Sequence, residues 1–150
     1  MSYTHQNELA RIEGEFDDVK GLLESYASAG KGAKKRRRNI DPDNIESALA
    51  TANDAYALLL IATAERFLRD YLTSQSIALP ADPRLDSLIN QARKVFNKTE
   101  PSIPIRLIDV QDMHRLREMR NAYAHGQRRS VFPSVRKVTE MLGRFFDYLP

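Results

Sequence analysis

No cysteine occurs in the 150 residues, which excludes disulfides, thiolate metal sites and thiol catalysis. No apolar run approaches the ~18 residues that a membrane-spanning helix requires; the longest, Ala55 to Ala64, is interrupted by Thr63. The amino-terminal stretch Met-Ser-Tyr-Thr-His-Gln-Asn-Glu is polar and holds no signal-peptide hydrophobic segment. A cytoplasmic protein with no membrane partner is therefore expected. No His/Asp/Glu group has metal-ligand spacing: Asp41 and Asp43 read as helix-start residues and Asp17-Asp18 as an exposed face, so neither a metal nor a cofactor is expected. Gly30-Lys31-Gly32 lacks a preceding strand and is no phosphate loop. No segment alternates as a strand does, and no repeat occurs.

What is present is ordinary for a folded chain, 42% hydrophobic and 29% charged. The length fits one domain, residues 1–150, with a single core. The net charge of +3 is concentrated. Six of the 23 basic residues (Lys31, Lys34, Lys35, Arg36, Arg37, Arg38) fall within eight positions that contain no acid, and the remaining 17 face 20 acidic residues. A local cationic segment of this kind favours a polyanionic partner.

Hydrophobic periodicity predicts an all-α bundle of about five helices, antiparallel and up-down, with a long central second helix. Leu9, Ile12, Phe16, Val19, Leu23 and Tyr26 form the stripe of a first helix over about residues 4–28, which Gly30 and Gly32 end. A basic loop over residues 31–40 follows. Asp41-Pro42 reads as cap and first position of a second helix running to about Thr73, apolar nearly all round in its second half. Asp82-Pro83 repeats that start for a third helix reaching about Asn97, and residues 99–108 read as a loop packed on the core. Asp109 is expected to cap a fourth helix ending near Ala124, with Asp112 at its third position and Gly126 just past its end. Ser134 precedes a fifth helix whose face carries Val135, Val138, Met141, Leu142, Phe145 and Leu149.

Two apolar stripes contain a charge. In the fourth helix, Met113, Leu116, Arg120 and Ala124 share one side, so Arg120 stands where the pattern asks for leucine. In the second, Leu58, Ile61, Glu65, Leu68 and Leu72 share a side, and Glu65 is the odd member. Unpaired buried charge costs several kcal/mol, so opposite charges in two stripes point to each other as partners. The alternative is that Glu65 pairs with Arg66 or Arg69 on its own helix.

The segment Leu116-Arg-Glu-Met-Arg-Asn-Ala-Tyr-Ala-His-Gly resembles the signature of the HEPN superfamily, the higher eukaryote and prokaryote nucleotide-binding domains. Arg120 with Asn121, followed after four intervening positions by His125 at a helix end, matches its motif. Ala62-Thr-Ala-Glu-Arg-Phe-Leu is similar to the family's second helix, where an acidic residue, here Glu65, commonly sits near the active centre. Length and helix number agree over nearly the whole chain. The resemblance implies a metal-independent endoribonuclease, a toxin or antiviral defence effector, working as a homodimer whose paired motifs face one composite active site. An antitoxin or regulatory protein is an implied partner. The alternative within the family is a non-catalytic RNA- or nucleotide-binding or assembly module. One departure is Gln127: a group of members is modified by its antitoxin at a tyrosine in that position.

RNA cleavage without metal requires attack of the 2′-hydroxyl on the adjacent phosphate, with an acid, a base and stabilisation of growing negative charge. Histidine titrates near neutrality and serves as donor or acceptor; the arginine fork suits phosphate. Asn121 is placed to hydrogen-bond the His125 ring or the substrate. One monomer supplies one suitable imidazole, because His5 is expected in a frayed terminus and His114 lies roughly 16 Å along the helix from His125. A symmetric dimer would supply the second. The alternative role for His125 is to complement the helix dipole. Lys34, Lys35, Arg36, Arg37 and Arg38, with Arg128 and Arg129 and then Arg136 and Lys137, are candidate RNA contacts; an idle solvated loop and a nuclear-import signal are the other readings of the run at 34–38.

Overall fold

The computed structural model describes residues 3–32, 42–127 and 132–150. Five helices follow in order, α1 (Tyr3–Gly32), α2 (Pro42–Ser74), α3 (Leu85–Thr99), α4 (Leu107–Ala124) and α5 (Val135–Phe146), with no strand among the described residues. The fold is the all-α bundle that the periodicity requires. α2 packs against each of the other four helices, which is why its second half is apolar on most sides. By length and composition Asp43–Ser74 would also pass as a membrane span; here Ala57, Leu60, Ile61, Ala64, Leu68 and Leu72 are buried in the bundle.

The stripes read from sequence make the core, except in the second half of α1, where Val19 and Leu23 are half-buried and Tyr26 is 53% exposed. Leu9, Ile12 and Phe16 of α1, Leu88, Ile89 and Ala92 of α3, Met113 and Leu116 of α4, and Val138, Leu142 and Phe145 of α5 join the α2 residues in one buried cluster. Two boundaries are set by tertiary packing rather than by caps. Asp82-Pro83 does not open α3; Pro83 is buried before the helix and Leu85 is its first residue, after Arg84 in extended conformation. α4 likewise begins at Leu107, two residues before the expected cap. Asp109 is 1% exposed inside the first turn of α4, where it accepts from Arg106 Nε at 2.9 Å and from the Tyr148 hydroxyl at 3.0 Å.

α1 continues through Gly30 to Gly32, beyond the expected stop. α5 starts as the sequence says: Ser134 Oγ accepts from Lys137 N–H at 3.2 Å. Asn53 of α2 reinforces that start. Its side chain donates to the Pro133 carbonyl and accepts from Val135 N–H, both at 3.0 Å.

His5 is not frayed. Its ring stacks on Phe67 at 3.9 Å between centroids, and burial lowers its pKa below the ordinary 6.5. His114, with Nε2 3.1 Å from Asn90 Oδ1, is lowered by burial and then by the Arg117 charge. A group whose folded pKa is depressed leaves the unfolded chain binding more protons, so stability falls as pH drops through the unfolded value. The thermal midpoint should therefore decline between about pH 7 and pH 5, and the double variant His5→Phe, His114→Gln should flatten that decline. An equally steep profile in the variant would remove both histidines as its cause. Asp54, raised from 3.8 by burial, acts with opposite sign and only in the lower, carboxylate range.

Candidate functional site

The apolar stripe of α4 leaves the core as the helix proceeds. Met113 and Leu116 are buried, Arg120 is half-buried, and Ala124 and His125 are exposed. Arg120 thus sits at the rim, with its base covered and its guanidinium able to reach both protein and solvent. The same applies to Glu65, between buried Ile61 and Leu68 on α2.

The two side chains meet directly. Arg120 Nη1 donates to Glu65 Oε2 at 2.5 Å, across the α2–α4 contact. The second carboxylate oxygen accepts from Arg69 Nη2 at 2.7 Å. Both pairings expected from sequence coexist, because a carboxylate offers two oxygens and the helix places Arg69 one turn beyond Glu65. With side chains 18% exposed for Glu65 and 36% for Arg120, the pair is screened only in part, so Glu65 holds the guanidinium in one orientation.

Beside the pair opens a polar cleft of about 180 Å³, walled by α2, by the segment leading into α3, and by α4. Glu65, Arg117, Arg120 and Asn121 line it together with Asp82, Arg84 and Asp86. Among the described residues its charges balance, three arginines against three carboxylates. The arginines differ in how tightly they are held. Arg117 approaches Asp86 only to 3.6 Å and Glu118 to 3.4 Å, and its buried Nε has no partner among the described residues. Among the described residues Arg120 has its one short bond to Glu65, which leaves the rest of its fork available to an anion in the cleft.

His125 is not part of this lining. It is the C-terminal cap of α4, exposed, with its backbone N–H on the Asn121 carbonyl at 3.1 Å. Asn121 is thus joined to His125 through the backbone and also lines the cleft. Within one chain the cleft is lined by Arg120 and Asn121, and the imidazole lies outside that lining, roughly 7 Å further along the helix axis.

The helix end that carries His125 is closed firmly. Gly126 has φ +71°, its N–H bonds the Tyr123 carbonyl at 3.0 Å, and Gln127 N–H bonds the Ala122 carbonyl at 2.9 Å. This is the Schellman arrangement, and its left-handed residue is most easily glycine. Tyr123 packs on buried Phe132 at 5.7 Å, which ties the same turn to the start of α5.

The remaining site candidates separate into two groups. Lys34, Lys35, Arg36, Arg37, Arg38, Arg128 and Arg129 lie outside the described residues. Arg136 and Lys137 are exposed in the first turn of α5 and approach Glu140 at 3.5 and 3.9 Å. The sequence reading missed Arg84, Asp86 and Arg117. Arg84 and Asp86 precede or open a helix and carry no pattern of their own; Arg117 could have been found from its place on the polar stripe beside Asn121. No protein-family model, no curated protein and no solved structure matches this chain.

Proposed function

We propose that the chain is a metal-independent endoribonuclease that cleaves RNA by attack of a 2′-hydroxyl on the neighbouring phosphate. The observation that carries this reading is the Glu65–Arg120 pair at the mouth of a polar cleft, with Asn121 on the same wall and His125 on the next turn. In it, Arg120 stabilises the charge that grows on the phosphate oxygens, His125 transfers protons, Asn121 orients ring or substrate, and Glu65 keeps the guanidinium aimed. The resemblance to HEPN ribonucleases supports the same roles.

A single exposed imidazole is half of an acid–base pair, so the active species is a homodimer whose two helix ends share one composite site. The basic run at residues 34–38, with Arg128 and Arg129, holds the RNA backbone electrostatically. A toxin or antiviral effector in the cytoplasm, restrained by an antitoxin or regulatory protein, is the cellular setting that fits such an activity.

A second reading, a binding or assembly module of the same fold without turnover, is favoured by one feature: the cleft is charge-balanced, so an incoming phosphate competes with Glu65 and Asp86 for the arginines. Incubating the purified protein with total RNA in excess EDTA separates the two. The nuclease yields shortened RNA ending in cyclic phosphate and beginning with 5′-hydroxyl. Intact RNA that is nevertheless retained by the protein establishes the binding module instead.

A further inference from the structure

Three helices end at one place. α2 stops at Ser74, α3 at Thr99 and α5 at Phe146, and around these ends lies a cavity of about 350 Å³. It sits at the other end of α3 from the cleft, roughly 20 Å away along that helix. Its walls are mainly apolar, with Tyr71, Phe96, Ile103 and Tyr148 beside the polar Gln75 and Thr99. Tyr148 is fixed by donating its hydroxyl to buried Asp109 at 3.0 Å, and its ring meets Phe96 edge-on at 6.0 Å.

The charge in this cavity has one sign. Glu100 and Asp147 line it, and among the described residues no Lys, Arg or His does. Glu100 is the C-terminal cap of α3 and Asp147 that of α5, where a carboxylate faces the negative end of the helix dipole. Among the described residues neither charge is neutralised: Glu100 makes no ion pair, and Asp147 accepts only a 3.4 Å bond from Gln6 Nε2. Two unfavourably placed carboxylates and three helix C-termini therefore converge on one apolar space.

A further polar group points the same way. Tyr71 is 7% exposed, lines the cavity, and its hydroxyl has no hydrogen-bond partner among the described residues. Burial raises its pKa above 10.0, which keeps it a neutral hydroxyl able to donate or accept.

We propose that this cavity binds a small organic cation, its ammonium group held by Glu100 and Asp147 and its apolar body packed against Phe96, Ile103 and Tyr148. Each part of the site asks for that chemistry. The carboxylates, both exposed at the rim of the cavity, and the helix ends favour positive charge. Aromatic faces attract a cation as well as an apolar body. A bare divalent ion would find too few oxygens and lose its water against apolar walls. The volume lies at the low end for small-molecule sites and fits about one ring with a short chain. The inference does not rest on RNA cleavage.

The test is a nitrogen-15 NMR titration of the full chain with phenethylammonium chloride and, separately, with neutral 2-phenylethanol. Expected are saturable shifts at Tyr71, Ile103 and Tyr148, with the cation bound about tenfold more tightly than the alcohol. The double variant Glu100→Gln, Asp147→Asn should lose that preference while binding the alcohol as before. Its thermal midpoint should be equal or higher, because it removes charge from two helix C-termini. Equal affinity of the wild type for cation and alcohol, an undiminished preference in the variant, or no saturable binding of the cation would each overturn the proposal. The wild-type comparison decides the matter even if the variant does not fold.

Discussion

Replacing His125 by alanine should lower RNA cleavage by roughly 10²- to 10⁴-fold and leave the thermal midpoint nearly unchanged. The separation of the two effects follows from the position of the side chain. His125 is exposed, and its one described hydrogen bond is made by its backbone, which alanine retains. Arg120→Ala should cost roughly 10²- to 10³-fold in rate, the scale of losing one preorganised donor to a developing oxyanion. That variant also keeps its fold, because Glu65 remains bonded to Arg69 at 2.7 Å and is not left as an uncompensated charge. Glu65→Gln behaves differently. It removes the negative charge that both arginines share and turns one of the two acceptor oxygens into an NH2 donor, so one guanidinium loses its partner and activity and stability should fall in step. Rates of 5′-hydroxyl product from a labelled RNA, measured beside thermal melts, read both quantities. Cleavage by His125→Ala at the wild-type rate would refute the assigned chemistry; lost cleavage together with a collapsed melt would assign the imidazole a structural task instead.

The second large effect concerns stability and lies under α4. Asp109 is 1% exposed and Asp112 is 8% exposed, and Arg144 of α5 serves both, with Nη2 at 3.1 Å from Asp112 and Nε at 3.7 Å from Asp109. Arg144→Met should destabilise the domain by about 3 kcal/mol, since it leaves two neighbouring buried carboxylates short of positive charge. The side chain of Arg144 is 38% exposed, which lets solvent relieve some of the loss and sets the figure at the lower end of the usual range. Asp109→Ala should cost less, about 2 kcal/mol, because the cations it abandons are open to water and the tyrosine hydroxyl retains the Arg106 neighbour at 3.1 Å. Guanidinium unfolding at neutral pH gives both values. The reverse order, with Asp109→Ala the more damaging, would show that packing of the carboxylate rather than charge compensation holds α4 to α5. For a domain of typical stability, either change removes a substantial fraction of the total.

Much of the fold was legible in the chain because burial imposes a period on it. The α2 stripe, the Ser134 cap and the left-handed Gly126 each express a local rule: one face inward, one orphan N–H satisfied, one backbone conformation without a Cβ. The Glu65–Arg120 contact was legible for a related reason, since charge inside an apolar stripe demands compensation. Asp109 misled for the opposite reason. An aspartate before an apolar run is the usual sign of a cap, and only the arrival of Arg106, Arg144 and Tyr148 makes a buried place for it two residues inside the helix.

What the residues settle unaided is the number and type of helices, which faces turn inward and which charges must find partners, because these follow from periodicity and from the cost of desolvating an ion. What they leave open is where those faces meet in space. That His125 stands clear of the cleft, that Arg84 and Asp86 join it, and that three helix ends gather around Tyr71 are decided by packing between distant segments. Such long-range contacts depend on how whole helices cross, and no local spacing encodes that.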